Sequence, residues 1–206
     1  MLLDPAAVSA TDLYRFLISA VVPRPIAWIS TRAADGTPNL APFSYFTPLS
    51  SVPPLLGIAI QDREGDPKDT LRNIRETRDF VVNIVSEPLL EAMVVCAGEW
   101  PREVSEFGPA GLTPAPAERV TAPRVLESPL QLECRLHREI PLGNCVFVIG
   151  EIVVARADDS LLTDGRVDPM KLRAVGRLGG ELYAPLREVV KVPRPRVSRA
   201  SGETLG

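Results

Sequence analysis

Apolar residues fall along this chain mostly at a period of two or in short unbroken runs, the pattern of strands; helical spacing is confined to brief stretches. Thr11-Asp12 opens the first of these, with Leu13, Phe16, Leu17 and Ala20 on one face and Pro23 and Pro25 ending it. Ile26 to Arg32 reads as a strand, Ala33 to Gly36 as a hairpin turn signalled by Asp35-Gly36, and Thr37 to Phe46 as the returning strand. Pro42 makes that strand an edge or marks a bulge. Leu55 to Ile60 is an almost continuous apolar run and hence a buried strand. Asp66 is a fitting N-cap, Pro67 a fitting first helical residue, and Leu71 and Ile74 would face inward from the helix that follows.

Phe80 to Val85 reads as another buried strand with Asn83 in its middle, and Pro88 starts a helix carrying Leu89, Leu90, Met93 and Val94. Gly98 to Pro116, mixed in character, reads as a lid or excursion. Leu130 to Glu139 alternates: Leu130, Leu132, Cys134 and Leu136 on one face, Gln131, Glu133, Arg135 and His137 on the other. Gly143-Asn144 turns the chain into a long strand, Cys145 to Arg156, with Gly150 a bulge. Asp168-Pro169 begins a helical turn.

These elements predict a mainly β fold, a closed or split barrel of about six strands with flanking helices. The two tight hairpins require antiparallel pairing, which disfavours the alternative, a doubly wound parallel sheet. The expected organisation is a single domain over 1–190 followed by a charged, Pro-containing tail, 191–206, loose or draped over a partner.

Composition narrows the function classes. Of 206 residues, 45% are hydrophobic and 24% charged, enough for a real core. The formal net charge of −3 offers no basic excess to neutralise nucleic-acid phosphates. No stretch reaches the roughly 18 apolar residues of a membrane span, and the N-terminus lacks the basic start and apolar run of a secretion signal. Three widely spaced cysteines, Cys96, Cys134 and Cys145, fit buried thiols in a reducing cytoplasm. A lone histidine, His137, and no paired cysteine motif argue against a metal site.

Candidate chemistry gathers between Arg24 and Thr70. Free N–H groups and the helix dipole at Pro67-Lys68-Asp69-Thr70 could hold an anion; the alternative is a capped surface helix, with Asp69 repelling any anion. Ala41-Pro42-Phe43-Ser44 could offer backbone groups and a hydroxyl to a polar ring edge, or could be an edge strand made awkward by proline. Ser50-Ser51 could bind phosphate, or form a plain polar turn before Pro53-Pro54. Gly179-Gly180 could let backbone approach a ligand, or simply turn, and Tyr183 could cover a pocket mouth or pack. Trp28 reads as core. No Ser-His-Asp, Cys-His or paired-carboxylate constellation stands out, which suits a protein whose cofactor carries the reaction.

Arg24-Pro25-Ile26-Ala27, Asn39 to Ser44, Ser50-Ser51 before Pro53-Pro54, Lys68 to Ile74, Phe80 to Asn83, Leu126 to Pro129, Leu132 to Cys134, Gly150 to Val153 and Arg177 to Gly180, in this order, resemble the flavin reductase-like family, the FMN-binding split barrels. The similarity covers most of residues 20 to 185. It implies a Greek-key antiparallel split barrel and a homodimer with FMN near the subunit interface. It also implies that Ala41, Pro42, Phe43 and Ser44 line the flavin ring and that Ser50, Ser51, Lys68 and Thr70 (with Asp69 in the same turn) serve the phosphate and ribityl chain; on that reading Gly179, Gly180 and Tyr183 are assigned to close the pocket. The activity expected is an NAD(P)H-dependent flavin reductase, with hydride passing from NADH or NADPH to the flavin and on to a small-molecule acceptor. The alternative is a flavin-binding or storage protein without turnover, or an electron-transfer partner of a monooxygenase.

Overall fold

The structure is a computed structural model that describes residues 2–63, 65–197 and 204–205. Helix α1 (Ala10–Ala20) is followed by strands β1 (Ala27–Arg32), β2 (Pro38–Phe43), β3 (Phe46–Ser51) and β4 (Pro54–Gln61). Helix α2 (Asp69–Thr77), strand β5 (Asp79–Ile84) and helix α3 (Leu90–Val95) come next. After an irregular excursion come β6 (Leu130–Leu142), β7 (Cys145–Ala157) and a helical turn, α4 (Pro169–Leu172). The seven strands form one sheet in the order β2-β1-β5-β6-β7-β4-β3, every pair antiparallel. The fold is a mainly β split barrel with flanking helices; the parallel alternative is excluded.

The barrel closes through its own covalent chain. β2 and β3 are the two edges of the sheet, and Ser44-Tyr45 carry the chain from one directly to the other. The Ala59 amide of β4 donates to the Tyr45 carbonyl at 2.8 Å, so the edges are drawn together at that step. This corrects the expected strand of Thr37 to Phe46, which stops at Phe43 and restarts on the opposite edge. Pro42 settles as an edge residue: it pairs with Trp28 with no register shift. Leu40, two residues earlier, turns its N–H away from β1 to Glu106 Oε2 at 2.8 Å. By strand alternation Pro42 occupies the same outward position, where no ladder bond is lost.

Two cores result. Inside the barrel, Ile29, Leu56, Ile58, Phe80, Val82 and Val148 interdigitate, and Leu71 and Ile74 of α2 plug one end. Outside β1, β2 and β5, a second core holds Trp28, Leu40, Met93, Cys96, Phe107 and Val125. The segment after Gly98 is therefore a packed outer layer, not a free lid: Phe107 and Leu112 anchor it. Buried polar groups on the barrel wall fix its later part. Asn83 donates to the Trp28 carbonyl and accepts from the Val125 amide at 2.8 Å. The Asp79 carboxylate accepts from the Thr121 and Ala122 amides, and the Glu133 carboxylate from the Glu118 and Arg119 amides. Gln131 and Glu133, expected on a polar outward face of β6, are thus buried under this layer.

Three further expectations are refined. α1 starts at Ala10, one residue before Thr11, with Ser9 as its cap and Ser9 Oγ accepting from the Asp12 amide at 3.1 Å. α2 begins at Asp69 with Lys68 in the N-cap position, rather than with Asp66 as cap and Pro67 inside the helix. Asp66 instead bridges Arg63 and takes the Arg72 guanidinium. The three cysteines are free; Cys96 and Cys134 are buried but Cys145, expected to be buried, is only half-buried, and burial beside Glu106 pushes the Cys96 thiol up to about 12. Residues 198–203 and 206 of the expected tail lie outside the described residues. No helix among the described residues is long and apolar enough to cross a membrane.

Candidate functional site

The split in the barrel opens a cleft of about 490 Å³ whose floor is the β2–β3 crossing: Pro42, Phe43, Ser44 and Tyr45. α1 contributes Tyr14 and Ile18 to one wall. The opposite wall comes from a small sheet in which Arg24–Pro25 pairs with Val175–Arg177, and that strand with Tyr183–Pro185. Beyond Phe43 the cleft continues into a second lobe of about 500 Å³, between β2, the start of α2 and the Gly98–Arg102 stretch. Pro42, Phe43, Lys68 and Ala97 line both lobes, so the two are one groove.

The start of α2 is uncapped. No side chain satisfies it, and among the described residues the amides of Asp69 and Thr70 have no partner. Lys68 stands at this junction, half-buried, its Nζ 5.5 Å from the centre of the Phe43 ring. It makes no ion pair with any described residue, and burial, reinforced by the charge of Arg63, holds its pKa below the ordinary lysine value. The objection that Asp69 would repel an anion weakens here, because Arg102 Nε lies 3.6 Å from its carboxylate. Thr70 Oγ1 accepts from Asn39 Nδ2 at 3.1 Å, tying α2 to β2.

At the other lobe Arg24 is buried and its guanidinium makes four hydrogen bonds, all to neutral acceptors. It donates to the Ile18 and Val21 carbonyls at 2.6 Å, to the Leu178 carbonyl at 2.8 Å and to Ser44 Oγ at 3.3 Å. It thereby staples α1, the Leu178 loop and the β2–β3 crossing to one another. Arg177 lies over the Tyr183 ring, 4.4 Å from its centre, and donates to the Tyr183 hydroxyl. Sequence reasoning assigned neither arginine a role. Their partners are distant in sequence, Leu178 being 154 residues from Arg24, and no local pattern announces such contacts.

Of the residues singled out from sequence, Ala41, Pro42, Phe43, Ser44, Lys68, Asp69, Thr70, Gly180 and Tyr183 all line the groove. Gly179 stands beside it. A Cβ there would stand 3.5 Å from Ser19, an ordinary contact, while Gly180 has the positive φ of a turn. Ser50 and Ser51 line neither lobe. They are exposed on β3, with Ser50 Oγ accepting from the Val52 amide at 3.1 Å. Trp28 is fully buried in the outer core.

Fold and groove together define a split-barrel protein with a cationic cleft at its seam. Residues 19–170 match the family model described as flavin reductase like domain, and the chain belongs to the flavin reductase-like family. An uncharacterised protein of Halalkalibacterium halodurans is 41% identical over 206 residues, covering 97% of this chain and 99% of its own. Among solved structures, nitrilotriacetate monooxygenase component B from Bacillus cereus superposes with a TM-score of 0.91 at 34% identity, over 93% of this chain and 98% of that one. The 2-nitrobenzoate 2-nitroreductase of Pseudomonas fluorescens gives 0.88 at 31% identity, over 98% and 100%.

The residues present fit a flavin on physical grounds. A flavin is a flat, largely apolar ring system with polar edges and an anionic tail. Pro42, Phe43 and Met93 supply apolar lining, and the outward-facing Pro42 carbonyl can meet a polar edge. Lys68 and the bare amides of α2 suit the tail.

Proposed function

We propose that this chain is an FMN-dependent oxidoreductase that takes hydride from NADH or NADPH and delivers electrons to a small-molecule acceptor. One observation carries the reading: a single groove joins a slot at the barrel seam, floored by Pro42 and Phe43, to an uncapped helix start guarded by a lysine that has no ion pair among the described residues. Bound FMN would supply the two-electron chemistry, which is why the groove needs placement and dryness more than acid–base residues. Pro42 and Phe43 set the plane available to a ring, and Ser44 is held in place by Arg24. Lys68 and the amides of Asp69 and Thr70 neutralise a phosphate. Gly180 and Tyr183 close the far wall and exclude water.

The test is the absorption spectrum of the purified protein, before and after reduced nicotinamide is added without oxygen. A yellow protein whose flavin band bleaches supports the reductase. Persistent colour makes it a flavin carrier instead. A colourless preparation that takes up no FMN in a calorimeter ends both readings.

The same reading includes a homodimer. Apolar residues of α1 and its C-terminal flank that do not reach the cleft are left to solvent: Phe16 is 44% exposed, Leu17 43% and Val21 59%. Leu182, beside the cleft, is 64% exposed. A second copy covering this face would seal the groove's open side. Light scattering on the eluting protein should give about twice the monomer mass, and Leu17→Glu should shift it towards one; a monomer at all concentrations removes the dimer.

A further inference from the structure

We propose that the seam-side lobe is a site for a flat aromatic carboxylate and that Arg177 grips the carboxylate. The proposal deepens the oxidoreductase reading and rests on it, since it names the class of second substrate that would meet the cofactor.

Among the described residues, the lining of this lobe includes three cations, Arg24, Lys68 and Arg177, and not one aspartate or glutamate. Composition does not produce that, because acidic residues outnumber basic ones, 26 to 23. The three cations are not equivalent. Arg24 spends its guanidinium on backbone carbonyls and Ser44, so it holds the walls together. Lys68 sits where the lobe meets α2 and is assigned to the cofactor's phosphate. Arg177 remains. Among the described residues it has no ion pair, and its side-chain partner is the neutral Tyr183. Glu181 acts on it only from beyond ion-pair distance.

Burial, with the charge of Arg24 nearby, pushes the Arg177 pKa down, so the fold holds a positive charge where its surroundings disfavour one. An anion in the lobe relieves that penalty. A guanidinium has five N–H donors in a planar fork; one nitrogen serves Tyr183, and the rest can meet both oxygens of a carboxylate. The ring of the ligand is specified by the other lining groups. With Phe43 assigned to the flavin, Tyr14, Tyr45 and Tyr183 remain as aromatic lining of the lobe, and stacking on such faces selects flat aromatic bodies over aliphatic ones.

The experiment is calorimetric titration of the FMN-loaded protein with benzoate and with benzamide, which share a ring and differ in charge. Benzoate should bind roughly tenfold or more tightly than benzamide. Arg177→Gln should erase that preference while leaving FMN affinity within about twofold. Equal binding of the two probes, or a preference that survives in Arg177→Gln, overturns the proposal. So does a variant that loses affinity for reduced nicotinamide while benzoate binding holds, since Arg177 would then serve a dinucleotide's phosphates. Where Arg177→Gln does not fold, Arg177→Lys decides: charge is kept, the fork is lost, and benzoate affinity must fall several-fold while benzamide affinity holds. A protein that takes up no FMN fails the flavin reading separately, and the same pair of titrations on the flavin-free protein still judges Arg177.

Discussion

Gly150→Val is expected to destabilise the protein by about 3 kcal/mol, lowering its melting temperature by roughly 6–12 °C for a chain of this size. Gly150 lies in β7 where the register with β6 shifts; the unpaired residue of that shift is His137 of β6, so the bulge expected at Gly150 falls on the facing strand. A Cβ built there drives into the tip of the Phe80 ring, stands 3.1 Å from a second ring carbon and 3.3 Å from Cys134 Cβ. Phe80 and Cys134 are fully buried at the barrel centre, with no vacant rotamer to retreat to. Gly57 supplies the control. A Cβ there also meets a ring, Phe147, two of whose carbons stand 2.9 Å away. Phe147, however, is half-exposed on the outer face of β7 and can swing clear. Gly57→Ala should therefore cost less than Gly150→Ala, although its clash is nominally the closer. Thermal melts of the four proteins check this; equal losses at both sites would mean that the barrel interior yields as easily as its surface.

The same contrast explains what could be read from the sequence. The hairpins at Gly36 and Gly143 were legible because both glycines adopt the positive φ those turns require. The alternation of β6 was legible because it is a local consequence of a buried face, whereas the register shift beside Gly150 leaves out His137 of the facing strand. The break at Ser44 was not legible. Asn39 to Phe46 reads as one strand because its interruption comes from closure of the whole barrel, through Ala59 and Tyr45, and no turn residue marks it. The start of α2 was misplaced for a related reason. Asp66-Pro67 satisfies the preferences of a cap, but Asp66 is taken by Arg63 and Arg72, which leaves Lys68 at the helix mouth.

The candidate site divides in the same way. Lys68, Thr70 and the Pro42–Ser44 run lie on contiguous elements and could be proposed from sequence, whereas the structural role of Arg24 and the charge of Arg177, without an ion pair among the described residues, depend on contacts across the fold. Glu133 looked solvated because alternation shows which face a residue takes, not what later covers that face.

Lys68→Ala should weaken FMN binding by roughly 1–3 kcal/mol, a loss of about five- to 150-fold. Lys68 is half-buried without an ion pair among the described residues, and burial and Arg63 together lower its pKa from the ordinary 10.5. A phosphate dianion seated beside it favours the ammonium form and raises that pKa again. Between the lowered value of the free protein and the raised value of the complex, binding takes up a proton, so FMN affinity should fall as pH rises through that window. Below both values Lys68 is charged in either state and contributes no slope. The titration of the phosphate itself lies well apart, near pH 6, where protonation weakens binding from the acidic side. Two variants isolate the lysine. Lys68→Ala should lose both the affinity and the alkaline slope. Lys68→Arg, charged throughout, should keep most of the affinity and lose only the slope. Calorimetry of FMN binding from about pH 7 to 10 tests all three proteins on one axis, a range that begins above the phosphate's own titration. If Lys68→Ala binds FMN as the natural chain does and with the same pH dependence, the charge at the helix mouth faces water, and the phosphate must be held elsewhere along the groove.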